Sequence, residues 1–349
     1  MTLHFQQLTR RAGRNLATAT IAVLVLAASA QVQAADLIKV KFSLEWLIQG
    51  PTAPYLLAQE RGYFAKEGLD VTIDAGSGST AFIQRLSGGA YDFAVGDLTT
   101  YIEYLSGNPT QDIMRPVYVV QNQLPSTVFA LAKSGIKKPA DLAGKRVAAA
   151  TFAATKKLWP LFARANGLDA NNISWQSVDP SLREAMLTRG QVDAVAGFLT
   201  DLPAYDALGI RGADLVAIKF AEHGVQLYSS TIFASKRILS ERPNVVAAFL
   251  RALNLGMKEA MADPDAAIKY VMKRNPLLNE AQERQRLELA RENILTKETR
   301  QYGYGAAQPA RLAQQVSDAL FAFGLQNKPA SDKVFEAGFL PPLADRLPK

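Results

Sequence analysis

The chain carries little that could do covalent chemistry. Its 349 residues include no cysteine and two histidines, His4 and His223. That excludes thiol nucleophiles, thiolate metal sites and disulfides at once, and leaves no multi-histidine metal centre. A Ser-His-Asp triad would have to be built on His223, which reads as a surface-loop residue. What remains suits recognition. Glu45 and Trp46 stand side by side directly after an apolar run, setting a carboxylate acceptor next to a large flat ring. Asp97, Leu98 and Thr99 follow a second apolar run, Thr151, Phe152 and Thr155 a third, and Phe198 and Asp201 a fourth. Gln49 and Ser79 add polar groups nearby, and Tyr228 with Ser229 is placed to close a site from behind. These are the candidate ligand contacts. No catalytic residue, metal ligand or cofactor is expected.

Such scattered residues meet only if the fold gathers them, and the strongest clue to that fold is an internal repeat. Gly68-Leu69-Asp70 returns 99 residues later as Gly167-Leu168-Asp169. The stretch from Gly89 through Asp92 to Gly96 returns 101 residues later, from Gly190 through Asp193 to Gly197. Both copies alternate strand-like and helical patterns. The first has strands at 38–44, 71–75 and 93–95, with a final helix over 98–106 capped by Asp97. The second has strands at 146–150, 173–177 and 193–196. Alternation of this kind predicts a mostly parallel sheet covered on both faces, and two copies predict two α/β lobes. Ligands of such sheets sit beyond the carboxyl ends of the strands, where helix N-termini present free amides. Segments 45–52, 76–80, 96–100, 151–155 and 197–201 occupy those ends.

Two further apolar runs, near 127–132 and 227–234, flank the second copy. They are expected to cross between the lobes as a paired connection able to act as a hinge. Lobe one would then comprise 35–127 and 233–349, with lobe two, 128–232, inserted. The rest reads as helices: one opening at Pro243, one before Leu287 with Asn279 and Gln282 as a capping box, and one over 310–323 ended by Gly324. Tyr302 and Tyr304, flanked by Gly303 and Gly305, read as an exposed turn.

The first 34 residues read as a secretory signal, with Arg10, Arg11 and Arg14 before an apolar stretch over 16–30 and Val32-Gln33-Ala34 at the cleavage site. Cleavage after Ala34 leaves 315 residues, and loss of three arginines takes the net charge from +7 to +4. That charge forms no basic stripe interleaved with aromatics, so no nucleic-acid partner is expected.

The residues quoted so far, with Phe42-Ser43-Leu44-Glu45-Trp46, Ala58-Gln59-Glu60-Arg61-Gly62-Tyr63-Phe64 and Pro139-Ala140-Asp141-Leu142-Ala143-Gly144-Lys145, resemble the nitrate, sulfonate and taurine group of importer binding proteins. Within it the likeness is greatest to the branch that binds thiamine-pyrimidine precursors. The resemblance implies an α/β type II periplasmic-binding fold, its two lobes joined by two crossover strands with the ligand cleft between them. It further implies a periplasmic protein that captures a small molecule and docks on an inner-membrane ABC permease; a monomer is the default expectation. Trp46 would be a stacking wall, with the Glu45 and Asp97 carboxylates as acceptors. One branch of the same group is enzymatic, the pyrimidine synthases, which use a histidine after the acid-Trp pair and a cysteine-rich iron motif. Here that histidine position falls near Thr52 and cysteine is absent. This departure argues against an enzyme.

The two carboxylates also bear on ligand charge. If both line the cleft, a neutral or cationic heterocycle is favoured, because a buried carboxylate beside an anion is costly. If they point away, the helix N-termini would suit a sulfonate or an aromatic carboxylate.

Overall fold

The computed structural model describes residues 37–76, 78, 81–151, 153–179 and 182–349. The expected signal segment, Ser79 and Phe152 lie outside the described residues. Among the described residues, ten strands form two five-stranded sheets. The first holds β1 (Ile38–Ser43), β2 (Leu69–Asp74), β3 (Phe93–Asp97), β4 (Met114–Val119) and β10 (Ser230–Ser235), in the order β2-β1-β3-β10-β4. The second holds β5 (Ser126–Leu131), β6 (Arg146–Ala149), β7 (Ser174–Ser177), β8 (Ala194–Phe198) and β9 (Leu215–Lys219), in the order β7-β6-β8-β5-β9. Four strands of each sheet run in the same direction. The fourth in order, β10 or β5, lies antiparallel to both of its neighbours. The two sheets therefore have one topology, written twice.

The repeated sequence motif performs the same task in both. Asp92 accepts the Lys41 amide at 2.9 Å and returns its own amide to the Lys41 carbonyl. Asp193 does the same to Arg146, accepting its amide at 2.8 Å. Each aspartate thus extends the pairing of the second and third strands in order, β1 with β3 or β6 with β8. Gly68 and Gly167 both take positive φ values, 76° and 65°, at the turn into the following strand or loop.

Burial follows strand position. The edge strand β2 alternates Leu69, Val71 and Ile73 inward with Asp70 and Thr72 outward. The interior strands β3 and β5 are buried at every position, as strands covered on both faces must be, and so is β4 at the far edge of the first sheet. The 20-residue helix Pro243–Ala262 supplies much of the first cover: Phe249 stacks on Phe93 with centroids 4.0 Å apart and meets Phe42 edge-on. Among the described residues no helix is long and apolar enough to cross a membrane.

The two runs expected to cross between lobes each lie inside one sheet, β5 in the second and β10 in the first. The passages themselves are the irregular segments 120–125 and 224–229, just before those strands. They are bonded side by side: the Val120 and Gln121 amides both donate to the Ser230 carbonyl, and the Ser229 amide donates to Gln121.

The C-terminal helices follow the sequence pattern, with Asn279 accepting the Gln282 amide at 3.0 Å. The exposed turn expected at Tyr302 and Tyr304 is only half right. Tyr302 is partly exposed, but Tyr304 is buried, because the last residues fold back over it and Arg346 exchanges backbone and guanidinium bonds with it. Gly305, at φ 81°, packs so closely that a Cβ there would lie 2.4 Å from the Tyr118 ring.

Candidate ligand-binding site

The chain leaves β1 in a tight bend over 44–49 that is pinned to the loop after β2. The Gly76 amide donates to the Trp46 carbonyl at 2.9 Å and the Gly78 amide to the Glu45 carbonyl at 3.0 Å. Only glycine fits at position 76, where a Cβ would come within 2.1 Å of the Leu44 carbonyl oxygen. This bend presents Glu45 and Trp46 at the carboxyl edge of the first sheet.

Glu45 accepts from the Ser230 hydroxyl at 2.8 Å. Asp97, at the end of β3, caps the helix Leu98–Gly107 by accepting the Thr100 amide at 2.8 Å, and its other oxygen accepts from the Ser229 hydroxyl at 3.1 Å. Consecutive serines, at the point where the chain returns from the second sheet, thus hold the two carboxylates. Burial pushes the Glu45 carboxyl up to about 7; the Ser230 bond works against that shift and the nearby Asp97 charge adds to it. Burial also raises Asp97, against the pull of its amide and hydroxyl donors. The Tyr55 phenol, buried beside them, is raised by burial and by the Glu45 charge. A carboxyl poised near neutrality can accept a bond as the anion or donate one as the acid.

Next to this pair Trp46 is 48% exposed, its ring edge close to Gly78. At the corresponding end of the second sheet, Phe198 closes β8 and is 37% exposed, with Leu182 exposed nearby. Most other large aromatic side chains are buried. Exposed rings at the carboxyl ends of strands in both sheets are what a flat apolar ligand would cover.

Several candidate contacts turn the other way. Leu98 is buried among Tyr101, Phe233 and other core residues. Thr99 is buried and accepts a bond from Gln315. Thr155 is sealed beneath the second sheet's edge, bonded to the Gly197 carbonyl at 2.9 Å and to Ser126. Tyr228 is a core residue as well: its hydroxyl donates to Glu298 and accepts the Gln308 amide, and the Arg311 guanidinium lies 4.0 Å over its ring. Leu98, Thr99 and Thr155 share a cause: the first turn of a helix points some side chains at the cleft and others at the core, and the helix's rotation decides which. Tyr228 instead lies in the irregular passage 224–229 and is covered by Glu298, Gln308 and Arg311.

Asp201 is a local brace, accepting the Phe198 amide at 2.9 Å and pairing with Arg183. The Gln49 carbonyl closes the turn at Thr52. Thr151 is exposed at the end of β6. The two partners that sequence reasoning missed are Ser230 and Gln121, whose side-chain oxygen lies 3.4 Å from the Ser230 hydroxyl. Nothing local marks either one. Among the described residues no cluster of three or more His, Asp or Glu side chains could hold a metal.

The chain is 28% identical over 272 residues to a formylaminopyrimidine-binding protein of Halalkalibacterium halodurans, covering 75% of this chain and 81% of that one. It is 24% identical over 243 residues to a 4-amino-5-hydroxymethyl-2-methylpyrimidine phosphate synthase of Legionella pneumophila, covering 69% and 75%. Among solved structures, the periplasmic aliphatic sulphonate-binding protein SsuA of Escherichia coli superposes with a TM-score of 0.68 at 16% identity, over 87% of this chain and 94% of that one. The fold is thus the mixed α/β, two-sheet fold of periplasmic binding proteins. The NMT1/THI5-like family model matches residues 50–267, more than half of the sequence, and the chain belongs to that family.

Proposed function

We propose that the protein is a periplasmic solute-binding component of an ABC importer, and that its ligand is a small nitrogen heterocycle of the aminopyrimidine kind. The observation that carries the ligand class is the pair Glu45 and Asp97, two carboxyl groups raised by burial beside a half-exposed tryptophan. An anion there would meet two acceptors and little compensation, whereas ring nitrogens and amino groups would find acceptors for their N–H groups. Trp46 stacks on one face of the ring, and Phe198 on the other lobe covers it when the lobes meet. Closure follows because only the closed form lets the ligand touch both lobes. The name of the Halalkalibacterium relative points the same way.

The protein binds without turning over. By the resemblance, the synthase branch uses a histidine at a position that falls near Thr52 here and a cysteine-rich motif, and this chain has no cysteine. Release is to a membrane permease, and the protein works as a monomer.

Calorimetric titration with formylaminopyrimidine and with an alkanesulfonate tests the ligand class. The pyrimidine should bind and the sulfonate should not; the reverse order would replace the heterocycle with an anion. Trp46→Ala should weaken pyrimidine binding more than about tenfold at unchanged melting temperature. Unaltered affinity would remove Trp46 from the site.

A further inference from the structure

The helix Glu280–Ile294 grips the lips of both lobes within one turn. On the first lobe, Glu283 accepts the Gly50 amide at 2.7 Å, in the turn that follows Trp46. Gly50 lies so close that a Cβ would stand 1.9 Å from the Glu283 carbonyl oxygen. On the second lobe, Arg286 donates to the Thr200 carbonyl at 2.6 Å, in the turn that follows Phe198. The neighbouring Gln285 donates to Asp206 at 2.8 Å. Further along, Glu292 reaches Lys219 at 3.3 Å. Glu283 and Arg286 are both largely buried, and they face each other at 3.4 Å.

A buried arginine that donates to a peptide carbonyl of the opposite lobe is satisfied only while the lobes are together. The same helical turn fixes Gly50, so it sets the distance between the loops bearing Trp46 and Phe198.

We propose that Glu283 and Arg286 are positioning residues that fix ligand affinity and residence time without touching ligand, by clasping the two cleft loops in the closed arrangement. The affinity part rests on the binding reading above; the closure part does not.

The test combines small-angle scattering of the ligand-free protein with formylaminopyrimidine binding kinetics. Arg286→Ala should enlarge the ligand-free radius of gyration and raise Kd by about tenfold, mostly through faster dissociation. Arg286→Lys, which can still donate to Thr200, should restore part of both. Gln285→Ala, which leaves the buried pair intact, should give a smaller change of the same sign and decides the matter if Arg286→Ala does not fold. A lower melting temperature with unchanged radius and unchanged dissociation rate would overturn the clasp and leave the binding reading standing. Expansion of the ligand-free variant, in a protein that binds no pyrimidine, would uphold the closure part and sink the ligand class instead.

Discussion

Replacing Glu45 by glutamine tests whether this carboxyl is held in a water-poor site beside a second acid. In the unfolded chain it ionises near 4.5; in the folded protein burial holds its proton until about 7. Below pH 4.5 both states carry the proton and the group contributes nothing. Between 4.5 and 7 the unfolded state ionises while the folded state does not, so stability falls as pH rises. Above 7 the loss levels off. At about 1.4 kcal/mol per pH unit, the span corresponds to at most about 3 kcal/mol. Water reaching a partly exposed Glu45 reduces it. Glutamine keeps the acceptor for Ser230 and removes the ionisation. Denaturant titrations of ligand-free protein from pH 4 to pH 8 should therefore show Glu45→Gln matching the parent at the acid end. At pH 8 the variant should be more stable. Parallel curves at every pH, or a variant less stable at pH 8, would refute a carboxyl strained by burial.

Asp97→Asn keeps the helix cap, since asparagine caps as well as aspartate, but removes the charge that helps raise Glu45. The pH midpoint of the stability curve should move down, and an unmoved midpoint would separate the two acids. Gly76→Ala forces a Cβ to 2.1 Å from the Leu44 carbonyl oxygen and should cost more than about 2 kcal/mol and abolish binding together, both measurable in one thermal-shift series with ligand. Thr155→Val removes the buried hydroxyl that bonds the Gly197 carbonyl and Ser126 and should cost about 1 kcal/mol in denaturant unfolding, while calorimetry finds the affinity unchanged.

Much of the architecture was written in short-range signals. The two Gly-X-X-Asp motifs, ending at Asp92 and Asp193, expose the duplicated topology because each bonds the equivalent strand of its own sheet, β1 or β6. Asp97 was readable as a cap because a cap bonds an amide three residues on. The site was less legible. Glu45 and Trp46 follow directly from their place after a strand, but Ser230 lies 185 residues from Glu45 and nothing about a Ser-Ser pair announces its partner. Tyr228 looked available because the groups that cover it, the Glu298 carboxylate, the Gln308 amide and the Arg311 guanidinium, come from distant C-terminal helices and their caps, whose docking no local pattern encodes. The clasp at Arg286 was invisible for the same reason: its acceptor is a backbone carbonyl 86 residues away.

The segments between the two sheets are bonded through Gln121, Ser229 and Ser230, and those serines hold the two carboxylates. On the function proposed above, a ligand that engages Glu45 or Asp97 would act at the pivot between lobes as well as in the cleft.

Native mass spectrometry of the mature protein, purified without denaturation, tests the central claim most directly. The account predicts a co-purified molecule with the mass of a heteroaromatic amine, lost in Trp46→Ala. A bound sulfonate or aromatic acid retained by that variant would contradict it.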